Sequence, residues 1–340
     1  MLNSWKNSGY EHLFFDIFHK NNEIVLICPV YDVGIDTNLL RISCGGVTLA
    51  LSEKHSKISH EPTEILKYGF CTAAKTNTFT VQSDGQIREY TLEHIESTHD
   101  NTVSITTLFQ GDFQLIKIFY DYYIRQGVTN FYLYYNGALM KDIIEAYNLP
   151  GVVLIEWNFR YWNEGKTFQH HAQLGQISHA LYRYGKESNK YMIFCDLDEY
   201  LYIPGKRLSE YFTEHQDVDV FGFCNRWSST LDNTIPSSFP ETFLTSSQHE
   251  FGDRSKCAYN TSSIVWCGIH RNWKARDKNC KVETGHVMFH FYNWCSYRRK
   301  ISGVTERITC TLPPRPESSL SDSSSVCAAD ASTNPWSAYP

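Results

Sequence analysis

Three carboxylates fall within four residues at Asp196-Leu197-Asp198-Glu199, directly after the nearly all-apolar run Tyr191-Met192-Ile193-Phe194-Cys195. Acids packed this closely repel one another, and a divalent cation removes the repulsion. Mg²⁺ or Mn²⁺ is a hard ion that takes oxygen ligands, commonly one or two carboxylates, and shares its other positions with phosphate oxygens. The cluster therefore suits a bound diphosphate, with Asp198 on the ion and Asp196 on the ion or on a nucleotide ribose. An isolated Asp-x-Asp is most often a solvated turn, and it is the apolar strand leading into this one that favours the metal reading. Lys256, Arg271 and Arg298 are cations of the types that bind phosphate, although each is more often a surface charge.

The elements that must position these side chains follow a strand-helix rhythm from residue 103. Val103 to Leu108 is a β-branched strand, and Phe113 to Gln126 has apolar residues at helical spacing, closed by Gly127. Phe131 to Tyr135 and Val152 to Trp157 read as strands, Leu139 to Tyr147 and Gln169 to Tyr184 as helices, and Tyr191 to Cys195 as a fourth strand. Strands alternating with helices imply right-handed crossovers and a parallel sheet buried on both faces, with ligands at the carboxyl ends of its strands. That geometry puts a nucleotide over the ends of the first two strands, near Thr107, Asp112 and Asn136.

The surrounding chain divides into three parts. Residues 1–98 alternate short apolar runs with turn signals such as Ser83-Asp84-Gly85 and read as a small β-rich module. Residues 99–305 carry the sheet, followed by a helix from Leu208 to His215, a strand from Val218 to Cys224 and a polar stretch to about residue 255 that reads as a long loop. Residues 306–340 are Pro- and Ser-rich and are expected to be disordered.

A net charge of −6, from 31 basic and 37 acidic residues, argues against nucleic acid as a partner. The opening MLNSWKNSGYEHLFFDIFHK lacks a signal-peptide core, and no later stretch approaches the ~20 apolar residues of a membrane span. The expectation is a soluble, cytoplasmic chain without an integral membrane segment. Its 11 cysteines form no CxxC pair and read as mostly free thiols.

The ordered motifs from residue 103 to about 300 resemble the GT-A glycosyltransferases, and in particular glycosyltransferase family 92. The residues that carry the likeness are Asp112, Phe119-Tyr120-Asp121-Tyr122-Tyr123, Gly127-Val128, Tyr134-Tyr135-Asn136, Gln173, Asp196-Leu197-Asp198-Glu199-Tyr200, Lys256, Gly268-Ile269-His270 and His290-Phe291-Tyr292. The chain departs from the family at Gln110-Gly111-Asp112, where Lys-Asn-Glu is usual, and the family's membrane anchor is expected to be absent.

The resemblance implies a GT-A type α/β fold, a mostly parallel sheet flanked by helices, preceded here by the β-rich module. It implies transfer of a hexose, galactose from UDP being favoured, from a nucleotide-diphosphate sugar to a glycan or other hydroxyl acceptor, with inversion. Mn²⁺ or Mg²⁺ is the implied cofactor, held by Asp196 and Asp198 with a distant histidine, His270 before His290. Gln173 and Lys256 join Thr107, Asp112, Asn136 and Asp196 around the nucleotide sugar. An inverting reaction needs a general base, for which Asp232, Glu250, Asp253 and Glu283 are the candidates. Trp227, Trp266 and Trp273 could stack on sugar rings, although packing is the commoner role for an indole.

Two other readings use the same residues. A nucleotidyltransferase or phosphatase also clusters acids on a metal, but a phosphatase of the Asp-x-Asp type carries the pair after its first strand, and no Walker-type phosphate loop is present. A catalytically inactive sugar- or nucleotide-binding module would keep the fold and bind without turnover.

Overall fold

The computed structural model describes residues 4–7, 10–28, 40–54, 66–72, 77–96, 100–162, 171–186, 188–230, 234–241, 244–247, 250–270, 273–277, 279–294 and 304–314. Its first part consists of short strands, as the alternating apolar runs imply. Strands β1 (Trp5–Asn7) and β2 (Tyr10–Phe14) pair with each other. A five-stranded sheet holds β3 (Asp16–Lys20), β4 (Glu23–Cys28), β7 (Leu51–Lys54), β8 (Leu66–Cys71) and β11 (His94–Ile95). A four-stranded sheet holds β5 (Arg41–Cys44), β6 (Val47–Thr48), β9 (Thr78–Ser83) and β10 (Gln86–Thr91).

The two-residue period of a strand divides β4 between two cores. Ile24, Leu26 and Cys28 face a cluster inside the module with Trp5, Ile42 and Phe79, while Val25 and Ile27 join a cluster shared with the larger domain. Phe15 and Phe18 face the same shared cluster, so the module is packed onto its neighbour rather than tethered to it.

The larger domain opens with β12 (Asp100–Phe109), β13 (Asn130–Tyr135), β14 (Val152–Glu156) and β15 (Asn189–Phe194), all parallel in the order β14-β13-β12-β15. Residues 103–109 are buried at every position, the mark of a strand covered on both faces. Helices α1 (Ile116–Arg125), α2 (Lys141–Ala146) and α3 (Ala172–His179) lie between these strands. Helix α1 buries Ile116, Phe119, Tyr120 and Tyr123, and Gly127 takes a φ of +81° just past its end, where a left-handed residue closes a helix.

The sheet continues through the strands β16 (Glu199–Tyr202), β17 (Val220–Thr230), β18 (Leu244–Ser247), β19 (Phe251–Asn260), β22 (Val282–Phe291) and β23 (Val304–Ile308), with α4 (Leu208–Glu214) between β16 and β17, while β20 (Ile264–Cys267) and β21 (Trp273–Ala275) pair with each other as a separate two-stranded sheet. Beyond β15 the order runs β19-β17-β18-β23 with antiparallel pairs, while β22 lies parallel to β17 and carries β16 antiparallel on its other side. The parallel character expected from the alternating rhythm thus belongs to the first half of the sheet, and the second half is mixed.

Three boundaries differ from the sequence reading. The expected loop to residue 255 contains the end of β17, all of β18 and the first half of β19, because the polar residues 225–230 have their backbone groups satisfied by flanking strands. The third helix starts at Ala172 rather than Gln169, which lies outside the described residues, and its last turn, Ala180–Gly185, is π-helical. The tail expected to be disordered from residue 306 begins inside β23 and continues as a packed strap. Cys310 and Leu312 are buried there, and the Arg125 guanidinium donates to the carbonyls of Leu312 and Pro313 while pairing with Glu241 at 2.6 Å. Residues 315–340 lie outside the described residues. No helix among the described residues is long and apolar enough to cross a membrane.

Candidate active site

Strand β15 delivers its carboxylates at the carboxyl end of the sheet. The Cys195 amide still reaches the Thr106 carbonyl, and the chain then turns sharply. The Asp196 amide donates to Glu199 Oε2 at 2.7 Å, and the Glu199 amide returns to the Asp196 carbonyl at 3.1 Å. This closed turn feeds β16, whose register against β22 sets Glu199 opposite His290.

The outcome is a compact polar cluster drawn from five elements. From β19, the buried Lys256 ammonium lies 3.3 Å from both Asp196 Oδ2 and Glu199 Oε2. From β22, His290 places Nε2 3.6 Å from Asp198 Oδ2 and Nδ1 3.5 Å from Glu199 Oε1. The Trp227 ring of β17 stacks on His290 with centroids 4.4 Å apart. From α3, the Gln173 amide faces Asp196 Oδ1 at 3.4 Å and accepts from the Tyr161 hydroxyl at 3.0 Å. An open cleft of about 200 Å³ lies in front, lined among others by Gln110, Asp112, Tyr161, Gln173, Asp196 and Asp198.

Burial sets the electrostatics. It pushes the Glu199 carboxyl up to about 8, reinforced by the Asp196 charge and opposed by Lys256. Burial by itself lowers the Lys256 ammonium, but the carboxylates of Asp196 and Glu199 more than offset it and hold its pKa above the ordinary lysine value. Burial, then the charge of Lys256, holds the His270 imidazole down to about 4, so that ring is neutral at pH 7.

The expected residues distribute unevenly around this cluster. Asp112, Gln173, Asp196 and Asp198 line the cleft, and Lys256 and His290 back it. His290, ranked second among the two histidines, is the one against Asp198. His270 lies within the fields of Lys256 and Asp196 and hydrogen-bonds at the Ser255 backbone. Thr107 is buried and faces a water-sized cavity behind Asp196 rather than the open cleft. Asn136 holds loop backbone instead of facing the cleft, its amide donating to the carbonyls of Trp157 at 2.9 Å and Phe159 at 2.7 Å.

Among the candidate bases, Glu283 does not belong to the site. It sits seven residues before His290 on β22, roughly 23 Å away at about 3.3 Å per residue, and is bonded to Tyr211 and to His286 Nε2. Glu250 is exposed just before β19, Asp253 lies on β19 at the cleft end of the sheet, and Asp232 falls outside the described residues. Arg271 and Arg298 also fall outside them. Trp227 is the tryptophan at the cluster, whereas Trp266 is buried on β20 and Trp273 packs near Tyr259.

Two contributors had no assigned role in the sequence reading. Glu199 is the buried hub that touches Asp196, Lys256 and His290, and Gln176 donates to Thr106 Oγ1 at 2.6 Å, fixing α3 to β12. The signal for Glu199 was its place as the third acid of the run; Gln176 had none, since a single Gln in a helix is ordinarily solvated.

With this geometry in place, comparison with known proteins supplies the family. The model of glycosyltransferase family 92 matches residues 99–311, more than half of the chain, and the chain belongs to that family. Residues 99–311 are thus a glycosyltransferase domain, with the mixed α/β sheet described above. Among solved structures, S. aureus TarS residues 1–349 is similar at 14% identity over 47% of this chain and 47% of that one, with a TM-score of 0.29. The same protein in complex with UDP gives 13% identity over 40% and 38%, with a TM-score of 0.27. The mannosyltransferase Ktr4p from S. cerevisiae gives 11% identity over 37% and 40%, with a TM-score of 0.26. The chain spans less than half the length of each of these solved chains. No curated protein matches.

Proposed function

We propose that this chain transfers a hexosyl group from a UDP-sugar to a hydroxyl group of a glycan acceptor. The observation that carries the reading is Asp196-Leu197-Asp198 at the end of the fourth parallel strand, opening on a cleft and backed by buried Lys256 and His290. Support for the nucleotide comes from the family. Galactose as the sugar and inversion at its anomeric carbon complete the proposal on the strength of the family resemblance.

A divalent cation fits the donor set in part. Among the described residues no group of three or more His, Cys, Asp and Glu side chains could hold a metal alone, and diphosphate oxygens and water would supply further ligands, as is common for Mg²⁺ and Mn²⁺. Asp198 and His290 would hold it, offering one carboxylate and one imidazole 3.6 Å apart. A bound ion there supplies positive charge against that developing on the departing diphosphate.

The chain's own residues account for the remaining tasks. Asp112, Gln173 and Asp196 line the donor cleft, and Lys256 holds Asp196 and Glu199 in fixed positions while offsetting the charge of Asp196. Asp253 or Glu250, at the cleft end of β19, takes the proton of the acceptor hydroxyl as its oxygen bonds to the anomeric carbon. The sugar–phosphate bond breaks in the same step, and its electron pair leaves on the diphosphate. A thermal-shift screen of nucleotide sugars with Mn²⁺ tests the donor class, because a ligand of the folded state raises Tm. UDP-galactose is expected to give the largest shift; no shift with any UDP-sugar would contradict the proposal, and binding without turnover would favour the inactive-module reading.

A further inference from the structure

The matched family domain begins at residue 99, so the β-rich module lies outside it. We propose that this module is a working part of the donor site, in which Phe15 and Asp16 act as positioning residues that set the height of α3 and thereby hold Gln173 on Asp196. The inference rests on the donor cleft described above.

All eight residues of α3 are buried, which a helix packed on one side only does not achieve. At 100° per residue its two faces separate cleanly. Gln173, Gln176 and Ile177 point to the large sheet, where Gln173 meets Asp196 and Gln176 meets Thr106. His171, Gly175 and His179 share the opposite face, which Phe15 and β3 cover, with Tyr134 and Trp157 of the larger domain also against His179.

Phe15 fits against the helix backbone at Gly175. A Cβ on Gly175 would lie 2.5 Å from the Phe15 ring, so the close approach depends on the glycine. The same ring packs on Phe159 at 4.7 Å, His171 at 4.8 Å and Trp157 at 5.4 Å. Trp157 Nε1 in turn donates to the Ala172 carbonyl at 2.8 Å, at the start of the helix beside Gln173.

Asp16 anchors the far end. Its Oδ2 accepts from His179 Nε2 at 2.9 Å and from Arg183 at 3.3 Å, while His179 Nδ1 accepts from the Tyr134 hydroxyl at 2.7 Å. Both Asp16 and His179 are buried, and the arrangement leaves His179 neutral with Arg183 balancing Asp16. Lys20 adds a third tie, donating to the carbonyls of Tyr182 and Arg183 in the π-helical last turn and of Lys186 just after it. The module therefore fixes both ends and the middle of the helix that carries Gln173.

The test is a size swap in the full-length chain: Gly175→Ala, Phe15→Leu and the double variant. Helix propensity alone would make Gly175→Ala stabilising, so a clash with Phe15 reverses the expected sign. Amide hydrogen exchange, measured without ligand, follows residues 195–199, whose turn is closed by the amides of Asp196 and Glu199. Gly175→Ala is expected to speed exchange there at least tenfold while β4 keeps its protection, and the double variant to return it to within threefold of wild type. Unchanged exchange at 195–199 in Gly175→Ala, or no recovery in the double variant, overturns the proposal. A second arm measures UDP affinity with Mn²⁺ by calorimetry. The expected result is a tenfold loss in Gly175→Ala with recovery in the double variant, and affinity equal to wild type in Gly175→Ala overturns the proposal. Absence of UDP binding by the wild type would sink the UDP-sugar reading and leave the exchange arm to decide the positioning role.

Discussion

Lys256→Met keeps most of the side chain's length and bulk and removes its charge, which makes it a direct probe of the cluster. The ammonium is buried 3.3 Å from both Asp196 and Glu199. Removing one partner of a buried ion pair costs about 3–5 kcal/mol, because the other charge is left without compensation. Two features put this case at the low end at pH 7. The Glu199 carboxyl, pushed up to about 8 by burial, carries its own proton there, and the Asp196 side chain is 27% exposed, so water shares its charge. A loss of about 3 kcal/mol corresponds to about 6–12 °C in Tm for a domain of this size. Above pH 8 the loss widens. Wild-type Glu199 ionises there against Lys256, whereas the variant offers it no cation, so it stays protonated in the folded state alone. Stability of the variant then falls by about 1.4 kcal/mol per pH unit relative to wild type. Urea denaturation at pH 6, 7.5 and 9 reads the difference, expected to be about 3 kcal/mol at the lower two values and above about 4 kcal/mol at pH 9. Equal stability of the two chains at pH 9 would refute the pairing, and a loss independent of pH would refute the part given to Glu199.

Other expectations follow from the same geometry. His290→Ala should lower Mn²⁺-dependent UDP affinity at least about tenfold, as losing one of two protein ligands implies, while His270→Ala should change it less than about threefold; calorimetry on both variants decides the order. Burial lowers His19, His179 and His270, so the folded chain keeps them neutral while the unfolded chain takes up protons near 6.5. Stability is therefore present above about pH 6.5 and falls as the pH drops below it, with His270, held down to about 4, contributing about 1.4 kcal/mol per unit over that range, as denaturation midpoints at pH 7 and 5 will register. Glu283→Gln should leave nucleotide-sugar turnover within about threefold of wild type, given its distance of roughly 23 Å along β22 from His290, and a loss beyond a hundredfold would restore it as a base candidate.

The parallel half of the sheet was legible because each of its strands is a short run rich in apolar and β-branched residues between helical patterns, even though β12 buries Ser104, Thr106 and Thr107 and the edge strand β14 exposes Val153 and Glu156. The second half was hidden by composition. Asn225-Arg226-Trp227-Ser228-Ser229-Thr230 looks like loop, yet it lies within β17 with β22 and β18 satisfying its backbone. The Asp196-Asp198 pair was readable as a local pattern. Its partners were not, since Lys256 stands 60 residues further on and only the β16–β22 register brings His290 rather than His270 to Asp198. The tie between Asp16 and His179 spans 163 residues and leaves no local trace.

The central claim is that Asp198 works at the point where a nucleotide sugar is broken. Turnover of UDP-galactose, followed as UDP release with Mn²⁺ and with a chelator, compares wild type with Asp198→Asn. Release by the wild type is expected to be lost in chelator and to fall by at least about a hundredfold in Asp198→Asn at an unchanged fold, the scale seen when a transition-state charge stabiliser is removed. Wild-type turnover in Asp198→Asn, or full activity in the chelator, would contradict it.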